Sequence, residues 1–416
     1  MQKQIRFATD YVGYVLKGGI GFYAWMGALA VLIAGMLYVF YLQNTEGLIV
    51  TGMTSQIHDG LYLANLVFLV GVAAGAVTIV FPAYVYHHEG MHKVTVLGEM
   101  LAISAVIMVM LFVFAHMGRP DRLWHMVPPW GIYSFSSMLG WDVLVLNGYL
   151  ALNLAIPAYV HYCHYRNREP LLKAYFPVVV VAMFWAVSIH TVTAFLFSAN
   201  SARPFWNTSL LGPRFIASAF ASGPALIILL LQLIRRVTDY PVKQSVIDTL
   251  ALVMTVSLQI SLFFVGAELF TDFYNESRHA GSIRYLFFGL DGLHSLRPWI
   301  WTALALNVVA VLLLSVHRTR RWMPTLNLAC ALTFVGIWIE KGMGLVVPGF
   351  IPTPLGEVFE YTPTLREMII SVGIWAFGAL VFTLLAKASI AIELGRVRER
   401  VPAAAPGSLK ASSAPS

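Results

Sequence analysis

The chain has 416 residues, of which 58% are hydrophobic and only 11% are charged, and its formal net charge is +7. Soluble domains usually contain about 25% charged residues, so this composition excludes an ordinary soluble enzyme and indicates a membrane protein. The two cysteines, Cys163 and Cys330, are far apart and form no CxxC or CxxCH motif. The chain therefore has no attachment signature of its own for an iron–sulfur cluster or a c-type haem.

Ten apolar segments are long enough to cross a hydrocarbon core of about 30 Å. The sequence thus predicts an all-α integral membrane protein with about ten transmembrane helices. The first apolar run is too long for the core of a signal peptide, and we interpret it as a retained helix. The predicted spans are residues 19–43, 60–86, 92–116, 136–162, 172–199, 213–235, 244–273, 298–317, 323–345 and 366–393.

The basic residues predict the orientation of these spans. Of the 27 Lys and Arg, 18 lie on the side of the termini and 9 on the opposite face, where Arg214 and Lys341 are counted. An excess of positive charge marks the cytoplasmic side, and residues scattered in short loops do not indicate nucleic-acid binding. We predict a cytoplasmic N-terminus (1–18), a membrane domain (19–393) and a disordered, Pro/Ala/Ser-rich cytoplasmic tail (394–416).

Three Arg-Pro pairs lie on the face that the orientation rule assigns to the periplasm. On one interpretation they end helices, and the nearby tryptophans form an interfacial aromatic belt. On the other, three such pairs on one face form a basic, aromatic platform for a water-soluble partner. The pairs and their tryptophans are Arg119-Pro120 with Trp124, Arg203-Pro204 with Trp206, and Arg297-Pro298 with Trp299.

Several ionisable side chains lie inside the spans near this face, where each is costly and therefore a functional candidate. Asp142 lies about two turns into span 4, and the nearest partner in sequence is His116, at the end of span 3. A His–carboxylate pair suits proton exchange with a quinone head group, because His titrates near neutral pH and the acid can take the proton. His116 and Asp142 are therefore the candidate catalytic residues. The candidate quinone contacts are these two residues with Tyr62, Asn65, Arg119 and His190.

Two further acids, Glu99 in the cytoplasmic half of span 3 and Glu268 in span 7, are candidates for a proton path. Most other polar residues in the spans are expected to form interhelical hydrogen bonds. The motif Gly71-x-x-x-Gly75 in span 2 and the small residues ASAFASGPA (217–225) in span 6 predict close helix packing. No metal site is predicted.

Two long motifs carry a resemblance to a known family. The stretches HMGRPDRLWHMVPPWG…SMLGWDVLVLNGYL and ARPFWNTSLLGPRFIASAFASGPAL resemble the NrfD/polysulfide-reductase (PsrC-like) membrane-anchor family. The similarity is greatest to its ten-span branch, which includes the DsrP subunit of the DsrMKJOP complex and the Hmc- and Qrc-type anchors. It extends from about Gly18 to Ile392, and H-x-G-R-P after span 3 is its most characteristic element.

The resemblance implies two four-helix bundles, spans 2–5 and 6–9, flanked by the terminal helices. It also implies a quinone site near the periplasmic face of the first bundle, with His116 and Asp142 in the positions of the family's quinone-interacting residues. Tyr62 and Asn65 match polar positions of span 2 more loosely. We expect Pro128-Pro129 and the neighbouring tryptophans to form a lid over this site, with Arg119 holding the loop.

The expected function is therefore that of a quinone-interacting subunit in the cell inner membrane, belonging to a respiratory or sulfur-metabolism redox complex. Menaquinone or ubiquinone is its expected substrate, with no haem or iron–sulfur cluster in this chain. The resemblance implies a periplasmic ferredoxin-like iron–sulfur partner, and further redox subunits such as a multihaem cytochrome c are expected. Such a subunit is not catalytic alone. Two alternatives remain open on the residues alone: a b-type cytochrome, given the 12 histidines, and a secondary transporter.

Overall fold

The structure is a computed structural model that describes residues 2–126, 137–274 and 279–399. Within these ranges the chain is helical and contains no strand, and ten helices are long and apolar enough to cross a membrane. Their ends agree with the predicted spans to within five residues. The spans, numbered in chain order, are Ile20–Glu46, Leu61–Tyr84, Glu89–His116, Met138–Tyr165, Leu172–Ser198, Leu211–Val237, Gln244–Tyr274, Arg297–Ser315, Met323–Phe350 and Leu365–Glu393.

Two of the spans are interrupted. Span 2 consists of Leu61–Gly75 and Val77–Tyr84, and span 9 begins as the α-helix Met323–Ile337. A π-helical turn follows in span 9, and π turns inside α-helices often occur at functional sites. The remaining parts of span 9 are Trp338–Met343 (π), Gly344–Val346 (α) and Pro348–Phe350 (3₁₀). The shorter helices outside the spans are Gln2–Val15, Leu48–Val50, Pro120–Met126, His279–Phe288 and His317–Arg321.

The spans pack as the two predicted four-helix bundles. In the first, span 2 packs on span 3, span 3 on span 4, span 4 on span 5 and span 5 on span 2; spans 6, 7, 8 and 9 close a second ring in the same way. Short connections make sequence neighbours pack side by side. Spans 1 and 10 pack on each other, and span 10 lies on span 3. The flanking helices therefore cover the first bundle.

Span 2 lies at the centre, because it also packs on span 6 and on the π turn of span 9. Every residue of Leu61–Gly75 is buried, as expected for a helix that is apolar on all sides. The bundles meet at two glycines: a Cβ on Gly75 would lie 2.5 Å from the Cα of Gly223. The close packing predicted for span 2 and for span 6 is confirmed, and the structure shows that these two spans pack on each other.

The N-terminal helix and residues 394–399 pack beside the final turn of span 4. Phe7 of the N-terminal helix contacts Tyr165, with ring centroids 5.0 Å apart, and the Tyr165 hydroxyl donates to Asp10 Oδ2 at 2.6 Å. Residues 394–399, which the sequence assigned to the tail, also pack here: the Glu399 N–H donates to the Tyr165 carbonyl oxygen at 2.8 Å. The rest of the predicted tail lies outside the described residues.

Candidate functional site

A His–carboxylate pair lies at the predicted face, but its acid is Asp59 rather than Asp142. His116 Nε2, at the last residue of span 3, lies 3.1 Å from Asp59 Oδ1, and the two side chains are 26% and 15% exposed. Asp59 precedes span 2, which packs along span 3, so the ends of these two spans meet. The predicted His116–Asp142 pair is thereby corrected, because Asp142 has its own partner on span 5.

Asp142 is buried between spans 4 and 5. Its Oδ1 accepts a 2.7 Å hydrogen bond from the Thr193 hydroxyl, and its side chain is almost inaccessible. His190 lies one turn before Thr193 on span 5 and is also fully buried. Its Nε2 lies 2.6 Å from the Phe215 carbonyl oxygen of span 6. The structure therefore places Asp142 and His190 on one buried polar strip at the border between the bundles.

Lys341 extends this strip into span 9. Its Nζ lies 2.6 Å from His190 Nε2 and 4.3 Å from the centroid of the Phe215 ring. Gly71 leaves the space for this contact, since a Cβ there would lie 3.2 Å from Lys341 Nζ. Lys341 and Glu340 are neighbours in the π turn and reach different spans.

Glu340 reaches Arg214, which joins spans 6, 7 and 9. Arg214 Nη2 donates to Glu340 Oε1 at 2.5 Å, and its Nη1 donates to Glu268. All three side chains are buried, where an ion pair is retained only if its partners match it closely. Two basic side chains, Lys341 and Arg214, thus lie beside two acidic side chains, Glu268 and Glu340. Glu268, predicted for a proton path, thus belongs to a buried ionic network that we call the junction network: His190, Arg214, Glu268, Glu340 and Lys341.

The positions of Arg214 and Lys341 correct their assignment to loops on the far face. They are 8% and 2% exposed and lie inside spans 6 and 9. Without them, seven of the nine basic residues remain on that face, against 18 on the side of the termini. The predicted orientation keeps its direction and stays a prediction.

Tyr62 and Asn65 face different neighbours. The Tyr62 hydroxyl donates to Gln43 Oε1 at 2.7 Å, and Gln43 donates to the carbonyl of Ala115, beside His116. Asn65 Oδ1 instead accepts from the indole N–H groups of two tryptophans on spans 9 and 10 at 3.0 and 2.9 Å. Tyr62 is therefore linked to the His116 region, whereas Asn65 lines a cavity of about 540 Å³ between spans 2, 8, 9 and 10.

The arginines of the three Arg-Pro pairs have three different environments. Arg119 is exposed and forms a two-point hydrogen bond with Asp121, at 3.0 and 2.9 Å, which raises the pKa of Arg119 and lowers that of Asp121. Arg203 stacks on Phe350 at 4.7 Å; partial burial lowers its pKa, and Asp59 opposes that shift. Arg297 is exposed at the start of span 8.

The accompanying tryptophans also differ. Trp124 is exposed, whereas Trp206 is buried and donates its indole N–H to the Leu345 carbonyl at 2.8 Å. Trp299 lines the cavity beside Asn65. The predicted lid at Pro128-Pro129 falls outside the described residues. Neither a uniform aromatic belt nor a uniform platform describes these side chains.

Glu99 is buried in span 3 of the first bundle, away from the junction network in sequence and in span. Among the described residues, no hydrogen bond joins it to that network. The two acids predicted for one proton path therefore lie in different parts of the protein.

Comparison with known families decides the class of protein. The family model described as "Polysulphide reductase, NrfD" matches residues 49–348, from the end of span 1 to span 9. The chain belongs to the NrfD family. It is a multi-pass membrane anchor subunit of the kind found in reductase and oxidoreductase complexes.

Three relatives from different organisms illustrate that membership. The chain is 26% identical over 398 residues to a Halobacterium salinarum protein named as a membrane subunit of dimethyl sulfoxide reductase, covering 86% of this chain and 88% of the relative. It is 22% identical to the "Hdr-like menaquinol oxidoreductase integral membrane subunit" of Archaeoglobus fulgidus, covering 87% and 92%. Protein NrfD of Escherichia coli is 25% identical over 298 residues, covering 66% of this chain and 90% of the relative.

Asp59, Arg214 and Lys341 were not predicted as site residues, and Glu340 was predicted only as one of the ionisable residues inside the spans. A signal existed for two of them, because Glu340-Lys341 lies between the apolar runs of span 9 in WIEKGMGLVV. Arg214 follows Pro213 and looked like a residue at the end of a helix, although the helix begins at Leu211. Asp59 gave no local signal, since only the packing of spans 2 and 3 brings it to His116.

Proposed function

We propose that this NrfD-family chain is the quinone-interacting subunit of a respiratory or sulfur-metabolism redox complex in the cell inner membrane. It exchanges electrons between menaquinone or ubiquinone and a periplasmic iron–sulfur partner. The observation that carries the proposal is the buried Asp142–Thr193 pair together with the His116–Asp59 pair at one face of the first bundle. The name of the Archaeoglobus relative, a menaquinol oxidoreductase subunit, supports this substrate class.

The two pairs can divide the proton chemistry of a quinol, which releases two protons and two electrons on oxidation. His116 can accept a proton from a hydroxyl through one ring nitrogen, and Asp59, 3.1 Å from the other ring nitrogen, Nε2, orients the ring. Asp142 is the second acceptor, held in position by the Thr193 hydroxyl. The electrons pass to a partner subunit, since the sequence has no cluster or haem attachment motif of its own.

The junction network supports a proton route from this region into the second bundle. The Phe215 carbonyl can only accept, so a hydrogen bond to it requires a proton on His190 Nε2, whereas Lys341 can donate to Nε2 only when that proton is absent. The two 2.6 Å contacts at Nε2 thus correspond to alternative positions of one proton. We propose that Lys341 and His190 hold this proton, while Arg214 bridges Glu268 and Glu340 beside them. Glu99 would serve a separate, cytoplasmic part of a route.

The partner subunit would bind the face that carries the His116–Asp59 pair. Arg119 and Arg297 are exposed there, and a periplasmic ferredoxin-like subunit, joined by further redox subunits such as a multihaem cytochrome c, would cover them. Family membership favours this function over a b-type cytochrome or a secondary transporter. A Soret absorption band in the purified chain would favour the cytochrome instead.

The experiment is oxidation of a quinol analogue by the reconstituted complex, with bound quinone measured in parallel. We expect His116→Ala to lower turnover by about 10²–10⁴-fold, the usual contribution of a positioned general base. Asp142→Asn should keep quinone bound while turnover falls, because the amide cannot take a proton. Glu46→Gln, at an exposed acid paired with Arg366, is the matched control. Near-normal turnover in both site variants would show that the quinone site lies elsewhere, and His190 and Glu268 would be tested next.

The proton route has its own test in sealed proteoliposomes. Lys341→Met should lower the number of protons moved per electron, because the donor to His190 is lost. Lys243→Met is the matched control, since Lys243 is an exposed lysine paired loosely with Glu89 at 3.8 Å. An unchanged proton-to-electron ratio in Lys341→Met would overturn the route through this network and leave the proposed quinone site untouched.

A further inference from the structure

The cavity that contains Asn65 lies outside the His116 and Asp142 region and has a chemistry of its own. It has a volume of about 540 Å³, within the usual range for small-molecule pockets. None of its described lining residues is ionisable. They are Leu61, Asn65, Trp299, Phe334, Val335, Trp338, Pro363, Met368, Ser371, Val372 and Trp375.

Two polar residues line this apolar cavity and have unused hydrogen-bonding capacity. Ser371 is 6% exposed, and its hydroxyl has no partner among the described residues. That is unusual, because a serine in a membrane helix commonly bonds the carbonyl four residues earlier. Asn65 Nδ2 donates one N–H to the Leu61 carbonyl at 2.8 Å, and its second N–H can be offered to a ligand. A ligand of this cavity should therefore carry hydrogen-bond acceptors.

The shape of the lining favours a flat aromatic ligand. Trp299 and Trp338 lie with ring centroids 6.1 Å apart, and the Asn65 amide oxygen holds the indoles of Trp338 and Trp375 in place. Indole faces bind planar rings well. The tryptophans therefore line the wall of the cavity, and two of them are fixed there by Asn65.

The rim of the cavity faces the surrounding bilayer. Val335, Met368 and Val372 line it and are 44%, 44% and 50% exposed on the apolar surface of spans 9 and 10. A ligand would thus enter sideways from the lipid phase and leave an apolar tail outside. A phospholipid head group finds no cationic side chain among the described lining residues, whereas a quinone carbonyl matches the Ser371 and Asn65 donors.

We infer that this cavity is a second isoprenoid-quinone site, in which Ser371 and Asn65 donate to the quinone carbonyls and Trp299, Trp338 and Trp375 form the wall. The inference rests on the proposed function, since it assigns a second molecule of the same substrate class. The site holds quinone without reducing or oxidising it, because no described lining residue can exchange a proton with it. It keeps a quinone beside the first bundle, ready to enter the reaction site.

The test counts quinones bound by the full chain in quinone-free nanodiscs, titrated with menaquinone-4. The wild type should bind two per chain. Ser371→Phe fills the cavity and should bind one. Ser371→Ala keeps the space and should weaken binding at one site by about 3- to 10-fold, the effect of one hydrogen bond. Ser389→Ala is the matched control on the same helix, because the Ser389 hydroxyl already bonds the Leu385 carbonyl at 2.8 Å.

The possible results separate this inference from the proposed function. No quinone on the wild type would contradict both. One quinone on the wild type that Ser371→Phe leaves in place would overturn the second site alone. If the wild type binds one quinone and Ser371→Phe binds none, the cavity is the sole site and the assignment of two quinone sites is overturned. A phospholipid that co-purifies with the wild type and is lost in Ser371→Phe would also overturn it. If Ser371→Phe does not fold, the Ser371→Ala titration decides.

Discussion

Removal of the Arg214 charge should destabilise the second bundle far more than removal of an exposed arginine. Arg214 is 8% exposed and is the cation between Glu268 and Glu340, which are 8% and 2% exposed. Arg214→Met would leave two buried carboxylates facing each other, and breaking a buried ion pair costs about 3–5 kcal/mol. Arg366→Met is the control, because the Arg366–Glu46 pair is about 40% exposed on both sides and such pairs contribute about 0–1 kcal/mol.

The assay uses Cys330, which is fully buried in span 9. In a Cys163→Ser background, a membrane-permeant thiol reagent labels Cys330 only when the second bundle opens. Since each 1.4 kcal/mol is a tenfold change in an equilibrium constant, Arg214→Met should speed labelling by roughly two to three and a half orders of magnitude. Neutralising Glu268 and Glu340 to Gln in the same chain should reverse most of this increase. A labelling rate equal to that of Arg366→Met would refute the interpretation of the network as a desolvated ion triad.

Three further predictions concern orientation, partner binding and the contact between the bundles. A single cysteine placed in the 201–210 loop should be labelled from the periplasm; labelling only after the inner membrane is permeabilised would reverse the topology. Charge reversal at Arg203, which interacts with Asp59, should loosen the proposed iron–sulfur partner, most visibly at low salt, where the charges are least screened. Reversal at Arg119 should do less because Asp121 already offsets its charge, and unchanged co-purification after both reversals would count against docking on this face. Gly75→Leu should cost at least the 1–3 kcal/mol typical of overpacking, because a Cβ there meets the span 6 backbone at 2.5 Å, and a wild-type melting temperature would show that spans 2 and 6 separate easily.

The sequence by itself determined the fold class, the number of spans and the presence of close helix packing along spans 2 and 6. These features depend on local properties: an apolar run of about 20 residues must cross the bilayer as a helix, because its backbone can hydrogen-bond only within itself. Small residues spaced four apart on one helix allow a second backbone to approach. Asp142 and His190 were recognised as buried for the same local reason, since a polar residue deep in a span is visible in the sequence.

Only the tertiary structure decided which buried groups pair. A helix specifies the side chains on each of its faces, but which face meets which neighbour depends on how all ten spans rotate and pack together. That packing brings Asp59 rather than Asp142 to His116, and it carries Arg214 and Lys341 from apparent loops into the interior. A buried charged side chain can pair with a residue more than a hundred positions away in the sequence, as Arg214 does with Glu340. No local pattern in the chain carries that information.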